Sequence, residues 1–212
     1  MKYEFVAGDE ITIAPGRTVK RIRALVAIAS FGVSPGDLGG YIEREKNLSQ
    51  VSDNAWVSGN SLVYGNSQVF GDSQVFGDAL VFGNARVFGN ACVSDNAWVS
   101  DNAWVSGNSQ VFGNSLVYGD SQVFGDSQVF GDALIFWASK VGTENGTLTV
   151  YATKTGDLEV TRGCFRGTVD AFLAASEAKH DDDTHHEYRL LIEVAQSRIM
   201  RALKKTQDGH RA

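Results

Sequence analysis

From Val51 onward an aliphatic residue recurs every six positions: Val57, Val63, Val69, Val75, Val81, Val87, Val93, Val99, Val105, Val111, Val117, Val123, Val129, Ile135 and Val141. A small residue stands two positions before each, from Ser49 through Ala55, Ser61 and Ala79 to Ala133 and Ser139. The unit reads small–x–Val–(Phe/Tyr/Ser)–(Gly/Asp)–(Asn/Asp). Side chains alternate along a strand, so the small residue and the valine point one way while x and the aromatic point the other. The Gly-Asn or Gly-Asp pair supplies a corner, because these residues best tolerate the positive φ of a sharp turn. One hexad cannot bury its valine, but stacked coils bury a continuous column of them.

This small/valine pattern resembles the left-handed β-helix family of hexapeptide proteins. The resemblance implies triangular coils of three hexads, about 18 residues each. The expected fold is mainly β, a left-handed parallel β-helix of about five coils over residues 49–141. The six-residue period excludes a pentapeptide helix, and the period together with the lack of GGxGxD excludes a calcium-binding nonapeptide roll.

Placing every third hexad on one face separates the outward residues. One face carries Leu62, Leu80, Trp98, Leu116 and Leu134, followed after each valine by Tyr64, Phe82, Ser100, Tyr118 and Phe136. So apolar a face is expected to be covered by another subunit, in a homotrimer. The second face leads with Gln50, Gln68, Arg86, Trp104, Gln122 and Lys140; Arg86 and Lys140 are the only cations of residues 49–141. The third leads with Trp56, Gln74, Cys92, Gln110 and Gln128.

In the middle of the repeat Ser94, Ser100 and Ser106 replace the outward ring, and Trp98 and Trp104 appear beside them. Two readings stand. The lost rings could make a waist where the two indoles and Arg86 bind a planar anion, a nucleotide above all. Alternatively, Trp and Ser compensate each other's volume in packing at a subunit contact.

Residues 1–48 read as strands and turns (EITIA, Pro15-Gly16, then RTVKRIRALVAIASF), an N-terminal β cap over the open end of the rod. Residues 142–212 read as a β-hairpin (TLTVYAT, LEVTRG) and a helical hairpin. Thr168 is placed to cap a helix running to about Lys179, and Thr184 with Glu187 forms a capping box for a second. Tyr188, Leu191, Ile192, Ala195, Ile199 and Leu203 of that helix follow helical spacing. The polar run between the helices, with His180, Asp182, His185 and His186, is read as a solvated loop rather than a metal site.

Charge narrows the function. The chain carries a formal −6, of which residues 51–141 alone contribute −6, with two basic against eight acidic residues. An acidic rod does not suit DNA or RNA, which need a Lys/Arg footprint. Cys92 and Cys164, with no CxxC, offer no disulfide framework or cysteine metal site. No apolar run approaches the ~20 residues of a membrane span, and no leader pattern opens the chain, so a cytoplasmic location is expected.

The segments RIRAL, GDLGGYIE, NAWVSGN, NGTLTVYATKTGDLEVTRGCFRGT and EYRLLI together resemble hexapeptide-repeat proteins of phages and prophages. That resemblance implies a product acting in the cytoplasm of a bacterial host. Hexapeptide acyltransferases use a histidine as general base, and γ-type carbonic anhydrases hold zinc with three histidines. The four histidines here, His180, His185, His186 and His210, all lie outside the rod, so the expectation is a non-catalytic protein without cofactor. The first expectation is a binder that sequesters a small anionic, nucleotide-like signal of host defence in inter-subunit clefts. Its candidate residues are Arg86, Trp98, Trp104, Ser94, Ser100, Ser106 and Lys140, with Arg162 and Arg166 at the rod's end. The alternatives are a structural or protein-binding trimer without small ligand, and an acyltransferase.

Overall fold

A computed structural model describes residues 1–51, 53–125, 127–130, 135–153 and 156–209. Three strands open the chain: β1 (Tyr3–Ala14), β2 (Arg17–Ala24) and β3 (Leu38–Ile42). Thirteen very short strands follow, one per hexad. They are β4 (Trp56–Val57), β5 (Leu62–Val63), β6 (Gln68–Val69), β7 (Gln74–Val75), β8 (Leu80–Val81), β9 (Arg86–Val87) and β10 (Cys92–Val93). Then come β11 (Trp98–Val99), β12 (Trp104–Val105), β13 (Gln110–Phe112), β14 (Leu116–Val117), β15 (Gln122–Val123) and β16 (Gln128–Phe130). The chain closes with β17 (Ile135–Val141), β18 (Gly146–Ala152), β19 (Leu158–Arg162), β20 (Phe165–Thr168), α1 (Val169–Lys179) and α2 (Asp182–Gly209).

The coil strands pair in parallel with the strand three hexads away, so Leu62 meets Leu80, Arg86 meets Trp104, and Gln110 meets Gln128. Three parallel sheets result: β3-β5-β8-β11-β14, β6-β9-β12-β15 and β4-β7-β10-β13-β16. This is a parallel β-solenoid of about five turns. The inward valines from Val57 to Val129 are buried to 1 % exposure or less. The small residue is needed where the coil turns: Ser67 Oγ donates to the Tyr64 carbonyl at 2.7 Å and Ser121 Oγ to the Tyr118 carbonyl at 2.8 Å. A buried hydroxyl thus satisfies itself locally, and alanine at the same position brings no polar group to satisfy.

Corners are held by a second ladder. Asn66 donates to Asn84, Asn84 to Asn102 at 3.0 Å, and Asn102 to Asp120 at 2.9 Å. Asp95 and Asp101 occupy the left-handed region at φ 56° and 57° where neighbouring coils place glycine. Each offers compensation, its carboxylate accepting from the amide of Gly113 or Gly119 at 3.0 Å.

The structure departs from the expected 49–141 boundaries at both ends. At the start, Ile42 pairs with Val63 and Leu48 with Val69, three residues more than the repeat. Tyr41, Ile42 and Leu48 therefore belong to the first coil, and Val51 leaves the register, 69 % exposed. Lys2 explains the detour: its ammonium meets the Asp53 carboxylate at 2.6 Å, and Gln50 Nε2 donates to the Tyr3 carbonyl. At the far end Ile135–Val141 runs antiparallel to β18 instead of continuing the coils. Its hexad has Trp137-Ala138 where a corner needs Gly-Asn, and the strand runs on past that position to Val141, with an irregularity after Ala138.

The C-terminal region is a four-stranded antiparallel sheet, β17-β18-β19-β20, rather than a single hairpin. Its β18–β19 pair covers the last coil, with the Thr149 hydroxyl accepting from the Gln122 amide and the Thr161 hydroxyl donating to the Gln122 carbonyl. Two helices pack on this sheet through Phe172, Tyr188, Ile192, Ala195 and Ile199. Thr168 caps α1 as expected, accepting from the Ala171 amide. The second cap is Asp181 instead of Thr184: its carboxylate accepts from the Thr184 amide at 2.8 Å.

Burial alone would raise the Asp53 pKa, but bonds from Lys2, Ser49 and the Gly71 amide hold it below the ordinary carboxylate value. A depressed folded pKa stabilises the protein above the unfolded value, about 3.9. That stabilisation disappears as pH falls through the lower folded value. Asp53→Asn is expected to cost about 2 kcal/mol near neutral pH, since it leaves the buried Lys2 ammonium without its charge partner. It is also expected to flatten the loss of stability as pH falls below about 4. Denaturant unfolding across pH checks both; a variant that loses stability in acid as steeply as the parent contradicts the assignment.

Candidate functional site

The outward positions of the three sheets form the surface on which any site must be built. On the Leu62 face, Tyr64 and Phe82 stack at 5.1 Å with planes 5° apart, and on the Arg86 face Phe70 and Phe88 do so at 5.0 Å and 2°. The next rung of each stack holds serine, and an indole takes the missing ring's place. Trp98 meets Phe82 edge-on at 6.3 Å, and Trp104 meets Phe88 edge-on at 6.1 Å. Ser100 and Ser106 beside them are buried, at 8 and 6 % exposure, as is Ser94 on the Cys92 rung at 7 %.

These positions correct the expected waist. Ser100 and Ser106 are closed off beside the indoles of their own rungs, and Ser94 is buried on the rung led by Cys92, which has no indole. Nor are all the candidates gathered at one point. Trp98 lies on the Leu62 face, whereas Arg86 and Trp104 are neighbours on the adjacent face, the Arg86 guanidinium 5.2 Å from the indole centre. Lys140 sits beyond the coils in β17, exposed and in the left-handed region at φ 59°. Arg162 is occupied within the C-terminal region: it donates to the Tyr188 hydroxyl and the Val141 carbonyl and approaches Glu144 at 3.7 Å. Arg166 pairs with Glu159, its guanidinium lying against the corner at Gly125. What persists of the binding set is Arg86 stacked on Trp104, with no carboxylate paired to Arg86 among the described residues.

The apolar face divides in two. Near the first coils the chain covers it: Arg17 lies over the Tyr64 ring at 5.6 Å, and Leu62, Tyr64, Leu80 and Phe82 are half-buried. Burial raises the Tyr64 phenol pKa, against the opposing pull of Arg17. Further down, Trp98, Leu116 and Tyr118 are 46, 51 and 47 % exposed and adjoin one another. Phe136 does not continue this column; it pairs with Val150 and packs into the C-terminal core, for the same reason that β17 leaves the coils. Leu134 lies outside the described residues. Trp137 turns back instead, its ring meeting Tyr118 edge-on at 5.4 Å.

The three histidines among the described residues are separately engaged, and His210 lies outside them. His185 Nδ1 is 3.3 Å from Ser176 Oγ, His186 Nδ1 is 3.0 Å from Arg189, and His180 lies against the Tyr188 ring. Among the described residues no group of three His, Cys, Asp or Glu side chains converges for a metal. Burial and the nearby Asp95 raise the Cys92 thiol pKa, which leaves it protonated and unreactive.

Sequence reasoning missed one cavity. It measures about 350 Å³, at the capped end, between Lys2, Val26, Ile28, Gln50, Val51, Asp53 and Asn54. The three-residue detour at Val51 opens it, and no sequence signal marks that detour.

A family model described as the YdcK β-solenoid repeat matches residues 49–65 and 85–101. The chain is a β-solenoid repeat protein. The comparison with curated proteins finds no match. No helix among the described residues is long and apolar enough to cross a membrane.

The exchange of ring for indole has a direct test. Ser106→Phe alone forces a ring into the space that Trp104 uses and is expected to cost about 2 kcal/mol. Trp104→Gln with Ser106→Phe rebuilds the Gln-Val-Phe of the neighbouring coils and is expected to recover most of that loss. Thermal unfolding of both singles and the double gives the coupling. Additive effects would show that the two positions do not share one volume.

Proposed function

We propose that this β-solenoid is a non-catalytic oligomeric scaffold that self-associates through the lower half of its Leu62 face. The observation that carries this reading is the contiguous exposure of Trp98, Leu116 and Tyr118 on successive coils of an apolar column that is half-buried nearer the first coils. Burying these side chains against a second subunit removes them from water at about 25 cal/mol per Å². A flat face built of parallel rungs is rigid, so little conformational entropy opposes the contact. The hexapeptide family to which the sequence bears resemblance assembles as trimers around such prisms, and a homotrimer is the assembly proposed. The rod without histidine is the support for a non-catalytic role. Phage origin and a bacterial cytoplasmic setting belong to the same proposal.

Leu116→Asp is expected to reduce the mass measured by light scattering to that of a smaller assembly. The solenoid should stay intact by circular dichroism, since this side chain points outward and is 51 % exposed. An unchanged mass would sink the assignment of this face.

A second reading is favoured by Arg86, which combines an exposed guanidinium with an indole beneath it and lacks a carboxylate partner. Next to a neighbouring subunit this pair suits a small planar anion such as a linear or cyclic nucleotide, held by stacking and charge-assisted bonds. The acidic corners oppose it, because Asp72 and Asp120 lie along the same prism. Calorimetric titration with nucleotides separates the readings. Heat that vanishes in Arg86→Ala supports sequestration, and no heat at protein concentrations above micromolar leaves the scaffold alone.

A further inference from the structure

Helix α2 is amphipathic twice over. Tyr188, Ile192, Ala195 and Ile199 bury one face against the C-terminal sheet and α1, each at 1 % exposure or less. At 100° per residue, Leu190 and Ser197 fall on the opposite side. That outer side is not uniformly polar: Leu190, Val194 and Met200 are 47, 48 and 44 % exposed, and Ser197 is exposed between them. Both of the helix's packed neighbours are on the other side, so nothing among the described residues covers these side chains.

Charge along the helix is just as uneven. From Asp182 to Ala195 there are four acidic residues, Asp182, Asp183, Glu187 and Glu193, against Arg189. From Gln196 to Gly209 there are four basic residues, Arg198, Arg201, Lys204 and Lys205, against Asp208. The helix macrodipole favours this polarity only in the first and last turns. Glu193, Arg198 and Arg201 lie in the interior of a 28-residue helix, where that explanation does not reach.

We propose that the outer face of α2 pairs antiparallel with α2 of a second copy of this chain, about a two-fold axis beside Ser197. At separations of three, four and seven residues the sequence of the outer face is self-complementary about that point. Glu193 and Arg201 are each four residues from Ser197, so two-fold pairing sets each at the height of the other. Leu190 and Lys204 are each seven away, which lays the apolar leucine along the aliphatic stem of the lysine. Val194 and Met200, three residues either side, cover the centre, and the small Ser197 lets the two helices approach. A parallel pairing would instead set acid against acid and base against base. A partner of another sequence accounts for an apolar stripe, but it gives no reason for the symmetry about one residue.

A single helix pair is smaller than the standard interface of ~800 Å² per partner, which places this association in the micromolar range. It is independent of the Leu62 face, since α2 packs on the C-terminal sheet and not on the coils. The two contacts together would join one prism-based assembly to another.

Charge reversal tests it in the full-length chain. Sedimentation equilibrium, in the parent and in the Leu116→Asp background, isolates this contact from that on the Leu62 face. Glu193→Arg and Arg201→Glu are each expected to weaken self-association about tenfold or more, and the double reversal to restore it. Double-reversal protein that associates as weakly as the singles overturns the antiparallel register. Cysteine at position 197 provides a second readout: Ser197→Cys in a Cys164→Ser background is expected to form a disulfide-linked dimer on mild oxidation. A chain that stays monomeric on a non-reducing gel overturns the two-fold axis at that residue. Because all three positions are exposed on a helix anchored by its other face, the variants should keep the parent's circular dichroism.

Discussion

The feature on which the rest of this protein depends is a parallel register of 18 residues that holds from Trp56 to Val129. Each valine column, serine bond, asparagine ladder and ring stack is a consequence of placing residue i beneath residue i+18. Individually these contacts are weak; a corner Asn–Asn bond is exposed, and a two-residue strand is negligible alone. In register they repeat along the prism, and each rung fixes the next. A slip of one residue would point the valines outward and the aromatics into the core. The register is therefore the most strongly specified feature of the fold.

A regular stack has two open ends, and the remainder of the chain serves them. The β1–β2 hairpin extends the Leu62 sheet beyond β3, and Arg21 donates to the Gly39 and Gly59 carbonyls at the edge. Its Asp9 and Tyr41 partners hold that guanidinium in place. At the other end Thr149 and Thr161 satisfy backbone groups of Gln122, and Ser127 bridges Thr153. Unpaired strand edges invite uncontrolled addition of further chains. With both ends closed, exposed apolar side chains are found along the sides, on the lower Leu62 face and the outer face of α2.

The same economy explains the middle coils. Exchanging Phe for Ser while exchanging Gln or Leu for Trp keeps volume constant but changes chemistry. The rung gains an indole with an N–H, and on one face that indole lies under a guanidinium. The surface is thereby altered locally without disturbing the valine core, which is how a repetitive scaffold acquires a distinctive spot.

Much was legible in the sequence because the period is physical. Six-residue spacing fixed the inward valines, the corners, the grouping into three faces and the apolar column later found half-exposed. The heptapeptide Val-Ser-Asp-Asn-Ala-Trp-Val marks where that legibility stops. It occurs at residues 51–57, 93–99 and 99–105. In the second and third copies the first valine is fully buried, and Trp98 is largely open to solvent. In the first copy Val51 is exposed and Trp56 is buried among Tyr3, Ile22 and Leu48. Identical local sequences have identical propensities, so the difference comes from what lies above them: two coils in one case, the Lys2–Asp53 pair and the N-terminal cap in the other. At Ile135 a faint signal did exist, Trp137-Ala138 in place of a corner. The sequence by itself determined the repeat and which side of it faces the core, because alternation and turn chemistry are local. Only tertiary structure decided where the stack begins and ends and which cations stay free. Those depend on contacts between segments far apart in the chain.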